Sequence, residues 1–295
     1  MALSPDIAMI KHVQMAVDLG KNKIISSTIR IGDLAGLMIC AQYLKTFEHK
    51  KIHFEYLDNV HRNLKAHILF QQTVDRFVTE EYTGFDIYDP GNIWVVAPYY
   101  VRRFGKRVLP TLTVDSAEYS GPELDWGNYI VFAPLTDARY NMACNMSPAF
   151  IREVVDSLAQ EYGEKLVVIS RDGGWITDTQ IQTIVWDDLY NIIYLISRSR
   201  MFIGGDTGFT HFAGLLRVPN LISLYYRNYR IDHYILNQGF DRPFSLQGQF
   251  IREPFDSRPN FDPDKTVYHN FIMENHRLNR QDFKRFLHVV AKALH

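Results

Sequence analysis

Ser199–Tyr225, SRMFIGGDTGFTHFAGLLRVPNLISLY, is the stretch from which the rest of the chain is read. Met201 to Ile203 is a short apolar run that stops at Gly204-Gly205, the pattern of a buried strand ending in a tight turn. Asp206 and Thr207 are good N-cap residues, and Gly208 to Leu216 then has the content of a short helix. Val218-Pro219 breaks that helix, and Leu221 to Tyr225 is the next strand. The unit is therefore strand, glycine turn, helix, strand. A glycine turn at a helix start presents unpaired N–H groups at the positive end of the helix dipole, which suits a phosphate. Gly204, Gly205 and Gly208 let a ligand approach the backbone, and Thr207, Thr210 and His211 add side-chain donors. A plain βαβ turn with N-caps and no ligand fits the local pattern about equally well, because glycine motifs match widely.

Composition narrows the class. The 295 residues allow one large or two ordinary domains. Hydrophobic residues make up 46% and charged residues 22%, enough to build a sizeable core. A formal net charge of −1 supplies no global field toward nucleic acid or anionic membrane, which leaves only a local basic patch open. The two cysteines, Cys40 and Cys144, match no metal or redox spacing and sit among apolar residues, as free buried thiols do in a reducing compartment. The first twenty residues lack the apolar core of a signal peptide, and no apolar run approaches the ~20 residues that span a bilayer. The expectation is a cytoplasmic protein without a transmembrane segment.

The order of elements points to an α/β fold. Ile7, Ile10, Val13 and Val17 have helical spacing, predicting a helix over 5–19. Lys23 to Ile29 predicts a strand, Arg30 to Asp33 a turn, and positions 34, 37, 38, 41 and 44 one face of a helix. Ile52 to Leu57 is a predicted strand, 61–80 mostly helix, Ile93 to Ala97 a buried strand and Val108 to Val114 a further one. Residues 115–128, DSAEYSGPELDWGN, are acidic with Gly and Pro, which suits a linker. Beyond it, Tyr129 to Ala133, Leu166 to Ser170 and Ile181 to Trp186 read as strands. Ser147-Pro148 has N-cap and N1 chemistry ahead of a helix face at 150, 151, 154, 155 and 158. Asp187 caps a helix through Leu195. Strands alternating with helices predict a parallel sheet. Residues 226–277 show few periodic runs, and Phe283, Phe286, Leu287, Val290 and Leu294 predict an amphipathic helix after Asn279.

GGDTGFTHFAGLLRVPNLISLY resembles the DTG-x-x-H-x-A…P segment of glycosyltransferase family 9, the heptosyltransferases, with Asp206, Thr207, Gly208, His211 and Pro219 at the family's spacing. STIRIGDLAGLMICAQYL resembles the same family's first strand and helix, which carry a Gly-Asp pair. The resemblance covers that first unit and roughly 129–225. It implies the GT-B architecture of two Rossmann-like domains facing a cleft: an acceptor-side domain over 1–115, a linker over 116–128 and a nucleotide-sugar domain over 129–295. The C-terminal helix would cross back onto the first domain. It also implies an inverting, metal-independent transferase moving a sugar from a nucleotide-diphosphate donor to a hydroxyl acceptor, in glycan or lipopolysaccharide-type assembly. The partners are then the donor sugar and a hydroxyl acceptor, with no nucleic acid and no separate cofactor.

Residue by residue, the resemblance makes Asp33 the general base on the acceptor hydroxyl; locally, an aspartate at a helix start is also a good N-cap. The segment from Gly205 through Asp206, Thr207, Gly208 and His211 would hold the donor diphosphate. Thr136 and Arg139 follow the strand ending at Ala133 and correspond to the family's turn of polar and basic donor contacts. The family carries a lysine shortly beyond that turn, whereas YNMACNMSP has none, so Arg139 or Arg171 supplies the charge or the donor differs. No spaced pair of aspartates in a loop suggests a metal, and a leaving diphosphate can instead be stabilised by basic residues or a helix N-terminus. Arg102, Arg103, Lys106 and Arg107 form a basic cluster, and YYRNYR at 225–230 offers rings for stacking. Two competing readings remain at this point: a GT-B epimerase or hydrolase of sugar nucleotides, and a nucleotide-sugar-binding module without turnover.

Overall fold

The computed structural model describes residues 13–18, 22–25, 31–49, 52–56, 76–78, 100, 104–110, 112, 114, 115–124, 128–134, 146–170, 181–185, 189–205, 207–226 and 267–294. The chain begins with β1 (Val13–Asp18) and β2 (Asn22–Ile25), continues through α1 (Ile31–Glu48), and adds β3 (Ile52–Tyr56) and β4 (Arg76–Val78). These strands form one sheet in the order β2-β1-β3-β4. β1 runs antiparallel to β2 and β3, while β3 and β4 are parallel. The first sheet is thus mixed, where a parallel one was expected. Residues 13–18 are a strand and not part of a helix: Val13, Met15 and Val17 also alternate with period two, and three residues between β1 and β2 suffice for an antiparallel return. Residues 76–78 are likewise a strand within a stretch expected to be helical.

The second sheet is built from β5 (Ile130–Ala133), α2 (Pro148–Tyr162), β6 (Leu166–Ser170), β7 (Gln182–Val185), α3 (Leu189–Arg198), β8 (Met201–Gly204), α4 (Gly208–Leu215), β9 (Asn220–Tyr226), β10 (Val267–Met273) and α5 (Arg280–Leu294). Its six strands are all parallel and lie in the order β10-β9-β8-β5-β6-β7. Counted from β5, that is the doubly wound order 3-2-1-4-5-6.

Period-two alternation decides which side chain faces which helix layer. Ile130, Phe132, Leu166, Val168, Met201, Ile203, Ile222 and Leu224 share a buried cluster with α2, α5, Phe271 and Met273. Tyr129, Val131, Ala133, Val167, Ile169, Phe202 and Leu221 belong to the opposite cluster with α3, α4 and α1. Both faces are covered at β5, β6 and β8, which therefore read as continuous apolar runs.

Helix α2 follows its sequence closely. Ser147 Oγ accepts from Phe150 N, Pro148 is the first helical residue, and Phe150, Ile151, Val154, Val155 and Leu158 are buried. Burying each such side chain is worth about 1.5–3 kcal/mol before entropy is subtracted. α5 starts at an Asn279 cap, whose Oδ1 accepts from Asp282 N at 2.9 Å. Its buried Phe286 and Val290 join the α2 side of the six-stranded sheet, with Phe283 against Phe150 and Phe286 against Phe271. The buried face of this helix therefore lies on the second sheet.

Two expectations about the elements are corrected, and a third segment is described more closely. Val108 to Val114 is not a strand among the described residues: Gly105–Val108 is a 3-10 turn, and Val108 and Leu109 are buried in the α1 cluster. β10 lies within the stretch that shows few periodic runs; Val267, His269, Phe271 and Met273 alternate there in VYHNFIM. The first part of the acidic segment expected as a linker is hydrogen-bonded to α3. Asp115 N–H donates to Tyr190 Oη (2.7 Å), and that hydroxyl donates to Asp115 O (3.2 Å). Ser120 N–H donates to Asn191 Oδ1 (3.0 Å), and the Asn191 amide donates to Ser120 Oγ (3.2 Å). Tyr119 stacks on Tyr194 with ring centroids 4.5 Å apart. The segment is clasped along α3. The predicted strand at Ile93–Ala97 lies outside the described residues, as does Cys144.

Buried weak acids give the fold an alkaline limit. Burial pushes the Cys40 thiol from 9.0 up to about 12. Burial, with Tyr194 adding to it, pushes the Tyr119 hydroxyl from 10.0 up to about 12. Tyr129 and Tyr190 are raised mainly by burial as well. Each folded value lies above its unfolded one, so the folded state holds these protons more tightly. Their contribution is complete below about pH 9 and is lost as pH rises toward about 12. Urea midpoints should be flat from about pH 7 to 9 and fall above that. A midpoint unchanged at about pH 11 would contradict this.

Candidate functional site at the switch point of the parallel sheet

In a doubly wound sheet the crevice for a ligand opens outside the carboxyl ends of the two strands where the winding reverses. Here those strands are β5 and β8, which pair directly through Ala133 and Gly204. The glycine turn leaves β8 at this point. Gly205 N–H donates to Ala133 O at 3.3 Å, tying the ends of the two strands together.

The turn is internally fixed. Gly205 O accepts from Thr207 N–H (2.9 Å) and from the Thr210 hydroxyl (2.7 Å). Thr207 has extended backbone angles and caps α4, with its Oγ1 accepting from Thr210 N at 3.3 Å. Both threonines are buried, and their side chains make these bonds within the turn. His211 is 4% exposed and packed within α4.

The three glycines divide by role. A Cβ on Gly204 would lie 2.5 Å from Phe202 Cε1 and 2.6 Å from Thr210 Oγ1. Gly204 is therefore required by its own neighbours. A Cβ on Gly205 would meet Pro134 O at 3.5 Å and Met146 Cε at 3.6 Å, ordinary contacts. Gly208, the first residue of α4, is partly exposed and has no side chain to screen its N–H. Gly204→Ala should overpack this corner and cost about 1–3 kcal/mol of stability. Thermal or urea unfolding checks it, and wild-type stability would show that Phe202 moves aside freely.

Asp33 is the third residue of α1, since the helix begins at Ile31 within the expected turn. It therefore sits inside the first turn and not at the cap, and a carboxylate there is favoured by the helix dipole. Its side chain lies outside the described residues, as do Thr136, Arg139, Arg171 and Asp206. α1 packs directly against α4: Ala35, Met38, Ile39 and Leu44 share one buried cluster with Phe209, Phe212 and Ala213. The helix that carries Asp33 is thereby joined to the helix that begins at the glycine turn. Sequence reasoning missed the Tyr190 and Asn191 clasp on 115–120; the signal was the adjacent Tyr190-Asn191 pair in the largely apolar run LYNIIYLIS.

No known family pattern matches the chain, and no curated protein matches it. Among solved structures, the chain is similar to the E. coli heptosyltransferase WaaC with ADP-2-deoxy-2-fluoro heptose, at 13% identity and TM-score 0.39 over 74% of this chain and 60% of that one. It is similar to E. coli ADP-heptose LPS heptosyltransferase II at 17% identity and TM-score 0.37, over 63% and 53%. It is also similar to the iron-containing dodecameric glycosyltransferase TibC of enterotoxigenic E. coli H10407, at 15% identity and TM-score 0.47, over 72% and 62%. The chain thus spans 53–62% of the length of these three proteins.

Proposed function

We propose that the protein is an inverting, metal-independent glycosyltransferase that moves a sugar from a nucleotide-diphosphate donor to a hydroxyl acceptor in glycan or lipopolysaccharide-type assembly. The observation that carries the reading is the glycine turn at the switch point between β5 and β8, opening α4 at Gly208. In this reading residues 1–115 form the acceptor side, 116–128 the connection and 129–295 the donor side, with a cleft between them. The donor diphosphate lies against Gly205, Asp206, Thr207, Gly208 and His211, with Thr136, Arg139 and Arg171 supplying polar and positive groups. Asp33 takes the proton of the acceptor hydroxyl as its oxygen attacks the anomeric carbon. The bond from that carbon to the diphosphate oxygen breaks, and the leaving charge is stabilised by the α4 N-terminus and the arginines.

One specific pair of observations favours a binding module without turnover: the run YNMACNMSP carries no lysine, and His211 is nearly closed off from solvent. Incubation with a panel of nucleotide sugars, with and without hydroxyl acceptors, separates the readings. Free nucleoside diphosphate released only with acceptor supports transfer. Release without acceptor supports hydrolysis, and binding without release supports the module. Transfer that stops in a chelator and returns with a divalent metal would overturn the metal-independent part.

A further inference from the structure

We infer that the exposed face of α5 is a docking surface for anionic lipid headgroups, independent of the reaction proposed above. Arg280, Lys284, His288 and Lys292 recur every four residues along α5, and all four are exposed. Steps of four residues keep them on one side of the helix, opposite the buried Phe286 and Val290. The stripe runs about 18 Å at 1.5 Å per residue. No acidic residue interrupts it. The helix has one carboxylate, Asp282, and that side chain accepts from Asn279 Nδ2 at 2.6 Å. Glu153 on the neighbouring helix is taken by Arg277, just ahead of α5, at 3.2 Å. Among the described residues, Arg280, Lys284 and Lys292 have no ion-pair partner.

This arrangement works against the helix that bears it. Like charges four residues apart destabilise a helix, and Arg280 in the first turn opposes the dipole. Acidic residues interspersed at the same exposed positions would relieve both effects, so the helix itself does not need this pattern. The formal net charge of −1 makes the stripe a local feature and not part of a global basic field. Its form selects the partner. A row of cations spread along one exposed helix face matches a plane of phosphates better than a single small anion, which needs converging donors. Basic residues held near an anionic leaflet each contribute binding that is screened by salt.

The test is co-sedimentation of the full chain with vesicles of phosphatidylcholine alone, or of equal parts phosphatidylcholine and phosphatidylglycerol. The wild type should bind the mixed vesicles, leave the neutral ones, and release as salt rises. The triple variant Arg280→Gln, Lys284→Gln, Lys292→Gln changes only exposed positions and should fold normally. Its vesicle affinity should fall about 100-fold, near fivefold for each charge removed. Equal binding to neutral vesicles, binding to neither, or an unchanged triple variant would overturn the inference. So would capture by soluble heparin without vesicle binding, which would assign the stripe to a soluble polyanion. Nucleotide affinity is the internal control: its loss in the triple variant would place these residues in the donor site, and its absence in the wild type would count against the proposed reaction alone.

Discussion

Asp33→Asn should leave a folded, donor-binding protein whose transfer rate is lower by about two to four orders of magnitude, the usual contribution of a positioned general base. The substitution keeps size and shape and removes only the ability to take a proton. Because Asp33 lies in the first turn of α1, the change also removes a favourable charge–dipole interaction. That costs about 0.3–1 kcal/mol of stability, too little to unfold the protein or to account for a hundredfold loss of rate. The two effects separate in one experiment: unfolding measures the dipole contribution, and single-turnover transfer measures the base. If Asp33 is only a helix-start residue, stability shifts slightly and turnover stays near wild type. A folded, donor-binding variant with near-normal turnover would sink the assignment.

The central strands of the parallel sheet were legible in the sequence because β5, β6 and β8 are buried on both faces. Leu166 to Ser170 could hardly be read otherwise, and the Ser147-Pro148 start of α2 is local chemistry that needs no tertiary information. The first sheet was harder because β1 pairs antiparallel with both β2 and β3, outside the strand–helix alternation. Val13 and Val17 satisfy a helical period and a strand period at once, and only pairing with Tyr56 and Ile52 decides between them. β10 was hidden for a related reason: VYHNFIM carries His and Asn among its apolar residues, and pairing along the whole length of β9 fixes it as a strand. In the site, the position of the turn followed from sequence, whereas the division of labour among its glycines did not. That division depends on Phe202 and Thr210 closing around Gly204, a contact between a strand and a helix that no local pattern encodes. The clasp of 115–120 onto α3 is invisible in the same way, since it joins residues more than seventy positions apart.

Gly208→Val is the sharpest test of the donor site because the structure removes two competing explanations. Gly204 is committed to packing and Thr207 to capping, so substitutions at either disturb the fold along with any ligand. Gly208 is partly exposed and helical, and a right-handed backbone admits a β-branched side chain. In the first turn of α4 the cost of valine over glycine is small, since the intrinsic helix propensity of valine exceeds that of glycine. The fold and its melting temperature should therefore persist. If the diphosphate sits at this turn, the isopropyl group would stand over the N–H groups offered to it and hold it beyond hydrogen-bond reach. Hydrogen bonds to a charged group are worth about 1.5–3 kcal/mol each, so losing one weakens nucleotide binding by a factor of about ten to two hundred. Calorimetric titration with a nucleoside diphosphate reads this without needing the acceptor or the sugar. Gly208→Ala, with a single methyl, should fall between wild type and valine. Unchanged affinity in a folded Gly208→Val protein would move the diphosphate away from this turn. The switch point of the sheet would then be a structural corner, and the charge of a bound nucleotide would have to be met by Arg139 or Arg171 alone.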